Sequence, residues 1–121
     1  MTAAISVLVV EDDEALREVV TTALSDEGYD VHAAPNGQAA LDVVDRAVPG
    51  VILLDMRMPV MDGWVFAQVY RQRPGPHAPI IACTAAQDAA RWAGEIDADA
   101  YLPKPFRLGQ LLDLVERYTR P

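Results

Sequence analysis

The amino-acid sequence predicts an α/β protein in which a parallel sheet carries helices on both faces. Three observations lead to that expectation. Five short apolar runs alternate with five longer amphipathic stretches, the repeat that builds doubly wound sheets. Three of the runs, 6–10, 51–54 and 80–83, are apolar without alternation, as central strands covered on both faces must be. Polar residues follow the runs directly, at the edge where right-handed crossovers collect the C-terminal strand ends and where such sheets bind ligands.

The elements read in order as follows. Run 6–10 is a central strand, and Leu16, Val19, Val20, Ala23 and Leu24 then form a helical stripe that Gly28 stops. The weaker run 31–33 is an edge strand, and Asn36-Gly37 opens a second helix with Ala40, Leu41, Val44 and Val48 on its apolar side. Run 51–54 is central, and Asp62-Gly63 opens a third helix carrying Val65, Phe66, Val69 and Tyr70. Three prolines make 74–79 a loop before the central run 80–83. A fourth helix is expected from about Gln87 to Ile96, an edge strand at 100–102, and a fifth helix from Leu108 with Leu111, Leu112, Val115 and Tyr118 on one face.

Composition narrows the function. The 121 residues are 51% hydrophobic and 23% charged, which suits one soluble domain over 1–121 with a core that needs no disulfide or structural metal. The single cysteine, Cys83, fits a reducing cytoplasm. No apolar run reaches the roughly 20 residues of a membrane span, and the first six residues lack the basic start of a secretory signal. The net charge of −8 argues against direct nucleic-acid binding. Nine of the ten basic residues are arginine, which singles out Lys104.

Chemistry-bearing residues collect at the strand ends. Glu11, Asp12, Asp13 and Glu14 follow the first strand, Asp55 the third, Thr84 ends the fourth and Lys104 follows the fifth. Carboxylates held together repel and raise the pKa of at least one, a conflict that a divalent cation removes. An oxygen-only set suits Mg²⁺ rather than zinc. A lysine and a hydroxyl opposite it suit phosphoryl transfer to a carboxylate, where positioning and charge neutralisation supply most of the catalysis. The remaining candidates read as ordinary structure. Asp13 and Glu14 suit a helix start, Thr84 could double as a helix N-cap, and Cys83 is a small buried hydrophobe. His32 and His77 lack a ligand pattern, and Trp64 and Trp92 are packing residues.

Segments 7–14 (VLVVEDDE), 53–63 (LLDMRMPVMDG), 83–85 (CTA) and 101–106 (YLPKPF) resemble the response-regulator receiver domain of two-component signalling, over nearly the whole chain. The resemblance is to single-domain receivers of the chemotaxis-regulator kind. It implies a flavodoxin-like (βα)5 fold with strand order 2-1-3-4-5. It further implies that Asp55 is the phosphoacceptor, that Asp12 ligates Mg²⁺ directly and Glu11 through water, and that the Arg57 backbone carbonyl is a further ligand. Thr84 and Lys104 would contact the phosphoryl group, Tyr101 would be the aromatic switch, and the Lys104–Pro105 bond would be cis. The donor would be a sensor histidine kinase or a histidine phosphotransfer protein, and the output a downstream protein target. The chain would be a switch that catalyses its own phosphorylation and dephosphorylation, not a metabolic enzyme, acting alone or as a piece of a larger protein.

Asp12 with Asp13 is the alternative acidic pair; Glu11 with Asp12 is preferred because the apolar run ends at Val10. Two features depart from the family: Asp97 stands where glycine is usual, and the stretch from Thr84 to Tyr101 is about two residues short. Competing readings are a non-phosphorylated pseudo-receiver used for docking, a flavin module and an aspartate-based phosphatase. Intact Asp55, Lys104 and Thr84 oppose the first, and four acids after the first strand oppose the second. Arg57, standing where a phosphatase needs a second carboxylate, opposes the third.

Overall fold

The computed structural model describes residues 4–120, so the reading of the extreme N-terminus and the outer bounds of the 1–121 domain lie partly outside the described residues. The elements are β1 (Ser6–Val10), α1 (Glu14–Asp26), β2 (Asp30–Ala34), α2 (Gly37–Val44), β3 (Val51–Leu54), α3 (Gly63–Gln72), β4 (Ile80–Ala85), α4 (Ala89–Glu95), β5 (Ala100–Lys104) and α5 (Leu108–Thr119). The five strands form one parallel sheet in the order β2-β1-β3-β4-β5, so the expected flavodoxin-like topology holds.

Strand alternation divides the core into two layers. Val7, Val9, Val51, Leu53, Ile81, Cys83 and Leu102 meet Val20 and Leu24 of α1 and Leu111 and Val115 of α5. The intervening residues, among them Leu8, Val10, Ile52, Leu54 and Ile80, meet Leu41 of α2, Phe66 and Tyr70 of α3 and Ala93 of α4. A strand sandwiched in this way has no solvent face, which is why β1 and β3 are apolar at successive positions.

Helix starts are set by side-chain caps. Asp13, Asn36 and Asp62 each accept a backbone N–H three residues on, at 3.0, 2.9 and 3.0 Å. Gly63 has a further reason to be glycine: a Cβ there would lie 2.8 Å from both the Asp55 carbonyl oxygen and the Met56 Cα. The start of α3 therefore presses directly on the backbone that carries Asp55.

Several boundaries differ from expectation. The second helix ends at Val44, and Val48 lies half exposed beyond it. Val48 precedes Pro49, a position that disfavours helical backbone. Val19, counted in the apolar stripe of α1, is also half exposed, because Val20 and Leu24 make the buried contacts. Thr84 is inside β4 and is not a helix cap; the cap position of α4 falls to Asp88, after a turn at 86–88. That turn shortens α4 to seven residues. Asp97 adopts a left-handed φ of 52°, the conformation for which glycine is the usual choice. The Arg71 guanidinium spans from α3 to donate to the Ile96 and Asp97 carbonyls and ties down the end of α4. Among the described residues no helix is long and apolar enough to cross a membrane.

Candidate functional site

Adjacent strands β1 and β3 in the middle of the sheet bring Glu11, Asp12 and Asp55 to one edge, and ligand oxygens of all three lie within 4.8 Å of one another. Glu11 and Asp55 are buried, at 5% and 7% exposure, and Asp12 is open to solvent. Parallel pairing of β4 and β5 sets Lys104 opposite Ala85, next to Thr84, so the ammonium reaches back across the edge. Lys104 Nζ donates to Glu11 Oε1 at 2.6 Å and stands 3.5 Å from Asp55 Oδ2. The Met56 N–H donates to Asp55 Oδ1 at 2.8 Å, leaving Oδ2 turned to the lysine.

Asp13 is outside this cluster. Its carboxylate caps α1, while its N–H donates to Glu11 Oε2 at 3.2 Å. Arg17 braces the acidic loop from behind by donating to the Glu11 carbonyl at 2.8 Å. The two acids nearest Asp55 are therefore Glu11 and Asp12, the pair preferred from the sequence.

Burial, then the charge of Glu11, push the Asp55 carboxyl up from 3.8 to about 7, against the pull of Lys104. Burial lowers the Lys104 pKa, but the Glu11 hydrogen bond and the Asp55 charge outweigh it and hold the ammonium above its ordinary 10.5. Three carboxylates facing one ammonium leave two formal negative charges. An all-oxygen donor set with that surplus is consistent with an Mg²⁺ site.

A cleft of about 920 Å³ opens over this edge, lined by Asp55, Thr84 and Lys104 on its inner side and by Arg57, Arg91 and Trp92 on its outer side. The outer wall was not legible in the sequence as part of the site. In the sequence Arg57 stands out for its backbone carbonyl and for occupying the place of a phosphatase's second carboxylate, and Trp92 as a packing residue. In the fold the Arg57 guanidinium sits 5.5 Å from the centre of the Trp92 ring and that of Arg91 sits 5.9 Å from it. Tyr101 is half exposed on β5.

The residues read as structural behave so. Cys83 is buried and burial pushes its thiol up to about 12, which removes it as a nucleophile near neutrality. His32 pairs with Asp30 at 3.3 Å and His77 with the Arg73 carbonyl at 2.7 Å, both outside the acidic cluster.

The sequence matches the response regulator receiver domain over residues 7–116. It is 39% identical over 110 residues to the response regulator MprA of Mycolicibacterium vanbaalenii, covering 89% of this chain and 47% of that protein. The chain thus spans about half the length of the curated relatives it matches. The fold superposes on the chemotaxis response regulator CheY4 of Vibrio cholerae with a TM-score of 0.86 and 31% identity, over 96% of this chain and 99% of that one. It superposes with a TM-score of 0.87 and 31% identity on the receiver domain of a sensor histidine kinase from Pseudomonas aeruginosa PAO1, covering 98% of this chain and 100% of that one. That structure has a magnesium ion coordinated in its active-site cleft. The chain belongs to the response-regulator receiver domain family.

Proposed function

We propose that the chain is a phosphorylatable receiver in which Asp55 accepts a phosphoryl group from a phosphohistidine donor. The donor is a sensor histidine kinase or a histidine phosphotransfer protein, and the phosphorylated form acts by contact with a downstream protein. The observation that carries this reading is the meeting of Glu11, Asp12 and Asp55 within 4.8 Å of one another, with Lys104 bridging Glu11 and Asp55.

Glu11, Asp12, Asp55 and the Arg57 backbone carbonyl would hold Mg²⁺. When bound, the ion neutralises charge on the acids and on the incoming phosphoryl oxygens. The Met56 N–H fixes one Asp55 oxygen and orients the carboxylate for attack. Lys104 offers a point charge to the phosphoryl group, and in doing so loosens its hold on Glu11. Thr84, beside Lys104 on the cleft wall, offers a hydroxyl to the same group. Movement of Thr84 toward the phosphoryl group would free space behind β4 for Tyr101, three residues before Lys104, to turn inward. These residues make the chain a catalyst of its own phosphorylation and hydrolysis, and a switch rather than a metabolic enzyme.

Intact mass after incubation with acetyl phosphate tests the reading. One added phosphoryl group is expected with Mg²⁺, none in chelator, and none in Asp55→Asn. Equal labelling of Asp55→Asn refutes the acceptor assignment, and an unlabelled wild type favours a docking module of the same fold.

A further inference from the structure

The two ends of α4 are held in opposite ways. Asp13, Asn36 and Asp62 cap the starts of α1, α2 and α3, but no side chain caps the start of α4. The Asp88 carboxylate, placed to do so, pairs with Arg91 at 2.6 Å instead. The helix rests on the sheet through Ala89 and Ala93, side chains with little apolar area to lock it there. The other end is closed. The Asp97 N–H donates to the Gly94 carbonyl at 3.3 Å and the Ala98 N–H to the Ala93 carbonyl at 2.9 Å, a Schellman closure with Asp97 in its left-handed position. A residue with a Cβ holds that position at a conformational cost. Arg71 of α3 offsets the cost by donating to the Ile96 and Asp97 carbonyls, the second at 2.9 Å. Trp64, also of α3, donates its indole N–H to Glu95 Oε1 at 2.9 Å.

Both tethers thus start from α3, and α3 is fixed to the backbone that carries Asp55. The Gly63 N–H donates to the Met56 carbonyl at 2.8 Å, and the space there admits no Cβ. A rigid path runs from Asp55 along α3 to the last turn of α4. Thr84 reaches α4 from the opposite end, through Ala85 and the turn at 86–88. We propose that Arg71 is a positioning residue of the switch. By strapping the last turn of α4 to α3 it makes that end a fixed pivot, and the uncapped start beside Thr84 becomes the arm that moves. The drive, a pull on Thr84, rests on the phosphoacceptor reading of Asp55; the pivot does not.

Amide hydrogen exchange followed by NMR in chelator tests the pivot with no activator present. After correction for intrinsic rates, the Trp92 amide, bonded to the Asp88 carbonyl, should exchange at least about tenfold faster than the Ala98 amide at the pivot. Arg71→Gln should speed Ala98 about tenfold more than it speeds the core amide of Ile52, and should leave Trp92 within about twofold. A second variant separates strap from stability. In Arg71→Gln/Asp97→Gly, glycine relieves the left-handed position, so the urea midpoint should return close to wild type although the strap is gone. Beryllofluoride with Mg²⁺ then reads the switch. Wild-type amide shift changes should run from Thr84 to Trp92 and fade by Ile96; in the double variant they should continue through Ala98. Equal exchange at Trp92 and Ala98 in wild type, or an Ala98 rate that Arg71→Gln raises no more than that of Ile52, overturns the pivot. A double variant whose shift changes still fade by Ile96 also overturns it, since Arg71 is then a stabilising cap alone. A wild type with no shift change at Met56 or Thr84 refutes the phosphoacceptor reading, and the exchange rates still decide the pivot.

Discussion

Asp55→Asn should make the protein more stable near neutral pH, by an amount that depends on pH in a defined direction. Only about a tenth of the Asp55 side chain is exposed, it faces Glu11, and its carboxyl titrates at about 7 instead of 3.8. Between those two values the native state holds a proton that the unfolded chain has lost. Stability therefore falls as pH rises through this window, and the full cost of the charge is present above it. A displacement of that size corresponds to a ceiling of about 4 kcal/mol. Water in the open cleft and rearrangement of Lys104 relieve part of it, so about 2 kcal/mol is expected. The asparagine carbonyl can keep the bond from the Met56 N–H, so that donor is not orphaned. Urea unfolding in chelator is the assay. The variant should exceed wild type by about 2 kcal/mol near pH 8, with the gain vanishing at about pH 3, below the unfolded-state value of 3.8. Saturating Mg²⁺ should shrink the gain near pH 8, because an ion bound to the native acids stabilises wild type. A variant less stable than wild type near pH 8, or a gain that is the same at both pH values, would refute the reasoning.

Four further outcomes are expected. Asp12→Ala should weaken Mg²⁺ binding in a titration far more than Asp13→Ala, which instead should lose a helix cap worth about 1 kcal/mol in thermal unfolding. Lys104→Ala should still be labelled by acetyl phosphate, though slowly, and NMR shift changes around Tyr101 on adding beryllofluoride, a stand-in for the phosphoryl group, should be smaller than in wild type. Gly63→Ala should destabilise by about 2–3 kcal/mol in urea unfolding, because the new Cβ meets backbone atoms of Asp55 and Met56 that cannot retreat. Val60 is 83% exposed and holds a φ of 70°, a strained conformation for a β-branched residue, so Val60→Asn should raise the urea midpoint by an amount equivalent to about 1 kcal/mol.

Much of the site was legible because its residues sit at strand ends, and a strand end is a local feature. The apolar run stopping at Val10 marks Glu11, the run stopping at Leu54 marks Asp55, and parallel topology carries both to one edge. Helix starts at Asp13, Asn36 and Asp62 were equally local, since a cap and its N–H are three residues apart. The strand order was not in the pattern. Periodicity says which residues face a layer but not which strand lies beside which, and the order 2-1-3-4-5 came from family resemblance.

What lay beyond the sequence depends on distance through space. Lys104 and Glu11 are 93 positions apart, and only the pairing of β1, β3, β4 and β5 decides that they meet at 2.6 Å. From sequence alone Thr84 could double as a helix cap, and only the strand pairing that runs β4 through it to Ala85 removes the cap. The raised pKa of Asp55 follows from burial and from Glu11 on a neighbouring strand, neither of which is a property of the segment around Asp55. The outer cleft wall is the same case. Arg57, Trp64 and Trp92 come from the β3–α3 loop, α3 and α4, and each taken singly is an ordinary surface or packing residue. The short α4, held at its C-terminal end by Arg71, carries Trp92 with its ring centre 5.5 Å from the Arg57 guanidinium. The local code names the groups that carry charge at this edge; long-range packing decides which charges neutralise each other, because the pairing partners lie on different strands.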